Sequence, residues 1–359
     1  MEKKEQFYSL KNILEYDASY YMIIGERSNG KTYSVEDYGL KNYCDGKGQM
    51  AIVRRNLEDF RGKRGKSMFS ALVKNGLVEK YSNGKWNDIY YYSAMWYLCK
   101  YDEKLDKRIL DETPLCYAFA LTSVEHDKST SYPDVTTVLF DEFLSKSYVQ
   151  DEFVMFMNTL STIIRYRDNV KIFMCGNTIN QHSPYFLEMG IKDIKTMEKG
   201  TIKEYSYGES GLKVVVEFSD NPQKKKKSDK YFAFDNPKLK MITQGKWEMS
   251  IYPHLPCKYN KKDILYTYFI TFEDIILQCE IIQTEELYFT YIHRKTTPIK
   301  SENDLVFVNY DSMYPNYSVN FKNPRKQVEK KIVEFFKKGK VCYQDNQVGE
   351  FVRNFLETL

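Results

Sequence analysis

The segment GERSNGKT, Gly25 to Thr32, sets two glycines, a lysine and a hydroxyl at the spacing GxxxxGK[ST]. Gly25 and Gly30 let the chain curl so that backbone N–H groups, those of Glu26, Arg27, Ser28 and Asn29 among them, point at a common anion. A helix starting near Lys31 adds the positive end of its dipole. The chemistry expected is triphosphate binding, with Lys31 bridging the β- and γ-phosphates and the Thr32 hydroxyl taking one position on Mg²⁺.

A second pattern complements the first. TVLFDEF, 137 to 143, is an apolar run that ends in Asp141 and Glu142. A buried strand ending in two carboxylates presents them at its C-terminal edge, where open α/β sheets bind ligands. Asp141 would hold Mg²⁺ through its water shell, and Glu142 would polarise the attacking water as general base. The competing reading is a hairpin turn with two exposed acids. A P-loop joined to such a strand is the pattern of ATPases with an additional catalytic glutamate (the ASCE type), so ATP is the nucleotide expected. Asn177, just past the strand KIFMCGNT, stands where a polar side chain reports on the γ-phosphate or lytic water, and equally where a turn or helix cap would place an Asn. In STIIRYRDNV, Arg165 and Arg167 end an apolar helix before that strand. An Arg there suits either a neighbour's γ-phosphate in a ring or a surface ion pair. Arg27, Arg54 and Arg55 are further candidates for phosphate or subunit contact.

The elements that must position these groups follow from periodicity. YYMII (20–24), MAIVRR (50–55), PLCYAFALTS (114–123), TTVLFDEF (136–143) and KIFMCGNT (171–178) read as apolar strands, and TYSVEDYGLKNYC and 150–166 as helices. Apolar strands alternating with helices predict an α/β fold, a mostly parallel sheet flanked by helices. Residues 67–112 interrupt it with a helix over SMFSALVKNGLV, a turn at Asn83-Gly84, and an aromatic stretch whose Tyr90, Tyr91, Tyr92 and Trp96 suit core or interface. The pattern runs to about residue 220 and stops at NPQKKKKSDK. Beyond it, 263–272, 274–282, 286–293 and 304–309 read as serial strands, followed by helices over RKQVEKKIVEFFKKG and NQVGEFVRNFLETL. The division expected is an ATPase domain over 1–220, a basic linker or lid over 221–253, and a smaller α+β domain over 254–359.

Composition narrows the rest. Net charge is only +4, with 53 Lys plus Arg against 49 Asp plus Glu, so nucleic-acid contact must come from local clusters. Candidates are Arg61, Lys63, Arg64 and Lys66, Lys146, and Lys224 to Lys227, each also readable as solvated surface. The 7 Cys are scattered without a CxxC pair, which argues for reduced thiols rather than a disulfide frame or zinc site. No apolar run reaches the roughly 18 residues of a membrane span, and a cytoplasmic protein is expected.

GERSNGKT, AIVRRN, KSTSYPDVTTVLFDEF, TIIRYR, GNT and SPYF occur in an order and spacing that resembles the DNA-packaging ATPases of small podophages with protein-primed genomes. The resemblance covers most of residues 5 to 190, weakens, and returns faintly as DNQV near the C-terminus. It implies a homo-oligomeric ring, generally of five subunits, at the portal vertex of a procapsid in the host cytoplasm. ATP hydrolysis there drives double-stranded DNA inward. By position, Arg165 matches a trans-acting finger, and Lys146 a basic position facing the DNA channel. The family's C-terminal domain resembles an RNase H-like nuclease that has lost its acids, and no carboxylate triad is evident on the strands between 263 and 309, so no nuclease is expected. Some relatives contact a structural packaging RNA. Competing expectations are a helicase-like or replication-associated DNA ATPase, a nucleotide-switch adaptor on a capsid without translocation, and an active large terminase, which would need clustered C-terminal acids.

Overall fold

Along Tyr20–Gly25 (β1) the side chains alternate between two faces, as pleating requires: Met22 and Ile24 enter one core layer, Tyr21 and Ile23 the other, all fully buried. The computed structural model describes residues 8–102, 106–123, 130–179, 182–220, 250–273, 275–299 and 301–359. Two compact units divide it, Met1–Glu248 and Met249–Leu359. The Lys224 to Lys227 run lies outside the described residues.

After β1 the first unit runs through α1 (Lys31–Cys44), β2 (Gln49–Arg54), three short helices α2 (Lys63–Ser67), α3 (Ser70–Lys74) and α4 (Leu77–Tyr81), then β3 (Asp88–Tyr92), β4 (Met95–Asp102), β5 (Lys107–Leu110), β6 (Cys116–Ala120), β7 (Val135–Asp141), α5 (Glu152–Ile164), β8 (Lys171–Asn177), α6 (Pro184–Glu188), β9 (Thr201–Tyr207) and β10 (Leu212–Phe218). The sheet order is β3-β4-β6-β2-β7-β8-β1-β10-β9, with β5 paired to β4. From β6 to β10 every neighbouring pair is parallel, and the antiparallel pairs sit at the two edges. The mostly parallel sheet expected from the sequence is thus observed, with its antiparallel pairs confined to the edges. Residues of α5 and α6 (Phe156, Leu160, Tyr185) cover one face, and α1 with the inserted helices (Val35, Leu40, Phe69, Leu72) covers the other.

The insert differs from its sequence reading. The single helix expected over SMFSALVKNGLV is two, because Asn75 ends α3 and Gly76 takes φ +70°, a left-handed turn that restarts the chain as α4. Its aromatic stretch is split by the pleat. Trp96 is 1% exposed, boxed by Phe60, Phe69 and Tyr91 with its indole N–H on the Gly65 carbonyl, while Tyr92 stands in solvent.

In the second unit the strands are β11 (Ile264–Phe272), β12 (Ile275–Gln283), β13 (Tyr288–Arg294), β14 (Val306–Phe307), β15 (Tyr317–Ser318) and β16 (Val341–Tyr343), with helices α7 (Gln327–Lys337) and α8 (Asn346–Glu357). Their order is β15-β14-β11-β12-β13-β16, antiparallel from β11 through β13 and parallel elsewhere. Both helices turn apolar stripes (Ile332, Val333; Val348, Phe351, Val352, Phe355) into the core of this unit. Among the described residues no helix is long and apolar enough to cross a membrane.

Candidate active site

The central parallel strands end on one edge, and β1 runs from there into the Gly25–Thr32 loop. Gly25 has φ +157°, and a Cβ there would lie 2.2 Å from Ser219 Oγ, so the loop approaches the end of β10 as only glycine allows. Gly30, at φ +97°, caps α1, whose first residues are Lys31 and Thr32. Asn29 braces the curl: its amide donates to Ser219 Oγ at 2.9 Å and its Oδ1 accepts from the Lys31 ammonium at 3.1 Å. Glu26 is buried and its carboxylate pairs with Lys199 at 2.7 Å, while Arg27 and Ser28 are exposed.

Lys31 Nζ donates to the Glu26 carbonyl at 2.7 Å, to Asn29 Oδ1, and to Asn177 Oδ1 at 3.4 Å. Phosphate would offer the ammonium oxygens of the same kind. Burial pushes the ammonium down to about 8, against the nearby Cys175, Asp141 and Glu26, which pull it up. A bound triphosphate would favour the charged form. Affinity is therefore expected to be flat below pH 8 and to fall by up to about tenfold per unit above it, as binding must first recover the proton. Equilibrium binding of a non-hydrolysable ATP analogue from pH 7 to 9.5 checks this, and a flat profile across that range would exclude it.

Asp141 ends β7, one strand removed from β1, with β8 between them. Thr32 Oγ1 donates to Asp141 Oδ1 at 2.8 Å. A hydroxyl and a carboxylate are hard oxygen donors that suit Mg²⁺, an ion that keeps several waters and takes its remaining ligands from phosphates. Glu142 follows in the left-handed region, φ +60°, which turns its side chain out of the sheet into the open. Asn177, at the tip of the intervening β8, completes the group. A cavity of about 560 Å³ joins Lys31, Thr32, Asp141, Glu142 and Asn177, and Tyr33, Ala71 and Asn75 form a further wall of it. The Gly25–Thr32 loop, both acids and Asn177 thus meet at one place.

The arginines separate. Arg54, at the end of β2, is ion-paired to both acids, to Asp141 through Nη2 and to Glu142 through Nη1 at 2.9 Å. One guanidinium thus holds an oxygen of each acid. Arg55 forks onto the fully buried Glu152 at 2.7 and 2.8 Å and also bonds the Glu142 and Phe143 carbonyls. In the free chain, then, Arg54 and Arg55 contact carboxylates and backbone. Neighbouring strand tips bring them there, and nothing local in VRR announces it.

Arg165 and Arg167 lie in the turn from α5 to β8, at the entry end of the strand, roughly 20 Å of extended chain from the tip that carries Asn177. Arg165 is exposed and donates to the Thr130 carbonyl at 2.8 Å. Arg167 instead bonds the carbonyls of Tyr132, Val135, Ile163 and Ile164 and holds the turn. Lys63 and Arg64 are exposed on α2, where Arg64 reaches the Glu58 carbonyl, and Arg61 pairs with Glu58. Lys66 and Lys146 are exposed as well, Lys146 in the loop after β7. None of these lysines or arginines lines the cavity. Sequence reasoning missed Lys199, Ser219 and the Tyr8–Glu217 pair (2.5 Å), which brace the loop and the end of β10 beside it; only the pairing of β1 with β10 brings them near.

A family model described as podovirus DNA encapsidation protein (Gp16) matches residues 100–354. The DNA packaging proteins of Bacillus phage PZA and Bacillus phage phi29 are each 26% identical over 188 residues, which cover 51% of this chain and 50% of theirs. The chain therefore spans about half the length of these curated relatives. A solved chain of the Phi-28 gp11 DNA packaging motor matches with a TM-score of 0.56 at 19% identity, covering 99% of this chain and 98% of that one, which is a likeness of fold.

Proposed function

This chain belongs to the podovirus DNA encapsidation protein (Gp16) family, and from that premise and the geometry of its cavity we propose an ATP-driven motor that translocates double-stranded viral DNA into a preformed capsid. The observation that carries the reading is the meeting of Lys31 and Thr32 with Asp141 and Glu142 across the intervening β8. A strand between the loop strand and the acid strand supports the ASCE type.

ATP enters as substrate. Lys31 exchanges the loop oxygens for β- and γ-phosphate oxygens, and the backbone amides from Gly25 to Thr32 hold the rest. Thr32 and Asp141 would hold Mg²⁺, whose charge, when bound, offsets that of the phosphates. Glu142, once free of Arg54, accepts the proton of the attacking water, and Asn177 orients water or γ-phosphate. Arg165 is too far along β8 to serve its own site, which supports its action on the site of a neighbouring copy in a ring, five subunits by analogy with the family.

The ring would sit at the portal in the host cytoplasm, with a packaging RNA as a further partner. Its grip on DNA is electrostatic and indifferent to sequence, through exposed Lys63, Arg64 and Lys146. We assign residues 1–220 to the motor domain, 221–253 to a linker or lid, and 254–359 to an RNase H-like domain. The order β13-β12-β11-β14-β15 supports that last assignment, and β11 at its centre carries no Asp or Glu, which supports the absence of nuclease activity.

Mixed oligomers test the assembly. Arg165→Ala and Lys31→Ala chains are each expected to lose ATP turnover by about 10³-fold. Together, in the presence of procapsid and double-stranded DNA, they should recover part of it, since each supplies what the other lacks. No recovery would remove Arg165 from the neighbour's site, and turnover indifferent to DNA and procapsid would remove the motor.

A further inference from the structure

The loop and the acids account for the phosphates and metal at the cavity, yet a nucleotide also carries a ribose and a base. The wall left over is made by Tyr33, Ala71 and Asn75. Tyr33 follows Thr32 on α1, about 100° further around the helix, so it faces away from the Asp141 side. Ala71 and Asn75 come from the insert between β2 and β6, on α3 and at its end. That helix is anchored to the sheet by Leu72, fully buried, and by Phe69, whose ring meets Trp96 at 5.5 Å. The insert therefore delivers a fixed polar side chain to the mouth of the cavity.

The chemistry of this wall is specific. Asn75 Nδ2 donates to the Tyr33 hydroxyl at 2.8 Å, which fixes the amide and leaves Oδ1 as an acceptor without a hydrogen bond among the described residues. An acceptor there suits the 6-amino group of adenine and opposes the 6-carbonyl oxygen of guanine. Tyr33 brings to the same wall an aromatic ring, the group on which bases stack, and Ala71 projects only a methyl group, leaving room for a base.

We infer that Tyr33, Ala71 and Asn75 form the nucleobase subsite, in which Tyr33 stacks on the purine and Asn75 selects the 6-amino group. The inserted helix thereby sets the preference for ATP over GTP. This rests on the loop Gly25–Thr32 binding the triphosphate.

Equilibrium binding to the full chain separates the two claims, with ATP and GTP competing against a fluorescent, non-hydrolysable nucleotide. The wild-type chain is expected to prefer ATP by tenfold or more. Asn75→Ala should bring that ratio near one, by weakening ATP and by relieving the opposition to GTP. Tyr33→Ala should weaken both nucleotides about tenfold and Tyr33→Phe should restore the stacking part, because a base stacked on a ring is worth on that order. Asn75 is exposed, and a far-UV spectrum and melting temperature like those of the wild type establish that its variant is folded. If Lys31→Ala abolishes binding of both nucleotides while the Asn75 and Tyr33 variants bind and discriminate as the wild type does, the loop site stands and the subsite is overturned. Lys31→Ala binding both nucleotides as tightly as the wild type overturns the loop site itself, and the subsite with it.

Discussion

Glu142→Gln is expected to bind ATP within a few-fold of the wild type while turnover falls by about 10²- to 10⁴-fold, the usual contribution of a positioned base. The amide keeps the shape of the carboxylate and cannot accept the water's proton. Binding survives because the loop, Lys31, Thr32 and Asp141 are untouched, and Asp141 retains its Thr32 and Arg54 partners. The comparison requires two assays on one preparation, nucleotide binding and phosphate release. Phosphate release near the wild-type rate would take the base role from Glu142. Joint loss of binding and turnover would instead mean that the acid tip, rather than the proton transfer, had been damaged.

The largest effect on stability is expected from Arg55→Ala. Glu152 has no exposed side chain, and four donors converge on its two oxygens: the Arg55 fork, the Tyr185 hydroxyl at 2.8 Å and the Val149 amide at 2.8 Å. Removing the guanidinium leaves a buried carboxylate without its countercharge, a change that typically costs about 3 to 5 kcal/mol. In a unit of this size that corresponds to a melting temperature lower by about 10 °C. Replacing Arg55 and Glu152 together with methionines should recover much of the loss, since no charge is then stranded. Thermal unfolding of the two variants decides the matter, and a shift below about 2 °C for Arg55→Ala would show that the pair contributes little. Because Arg55 also bonds the carbonyls of Glu142 and Phe143, a slackened acid tip should accompany the lost stability.

The contrast between Arg54 and Arg55 shows where reading a sequence stops. Asp141 and Glu142 were legible as acids at a strand tip, since a run of apolar residues can end in charge only where it leaves the core. The loop was legible because its glycines and lysine keep a fixed spacing within one stretch of chain. Which arginine faces which carboxylate depends on the pairing of β2 with β7 and on where α5 begins, neither of which any single strand encodes. The insert failed for a related reason. Its hairpin turns at Ser93 and Ala94, both in the left-handed region without a glycine or asparagine to announce it, so β3 and β4 read as one aromatic run. In the second unit, β11 to β13 alternate or stay apolar long enough to be read, whereas β15 and β16 are two and three residues and leave no period to detect.

Arg167 bears on the assembly of copies proposed above. Its guanidinium ties carbonyls from just before β7, from the first residue of β7 and from the end of α5 into one knot. The turn is thus already rigid in the lone subunit, and docking onto a neighbour freezes few additional torsions of its main chain. Encounter should therefore resemble two preformed surfaces meeting rather than a loop folding onto its target, with little heat-capacity change arising from this segment.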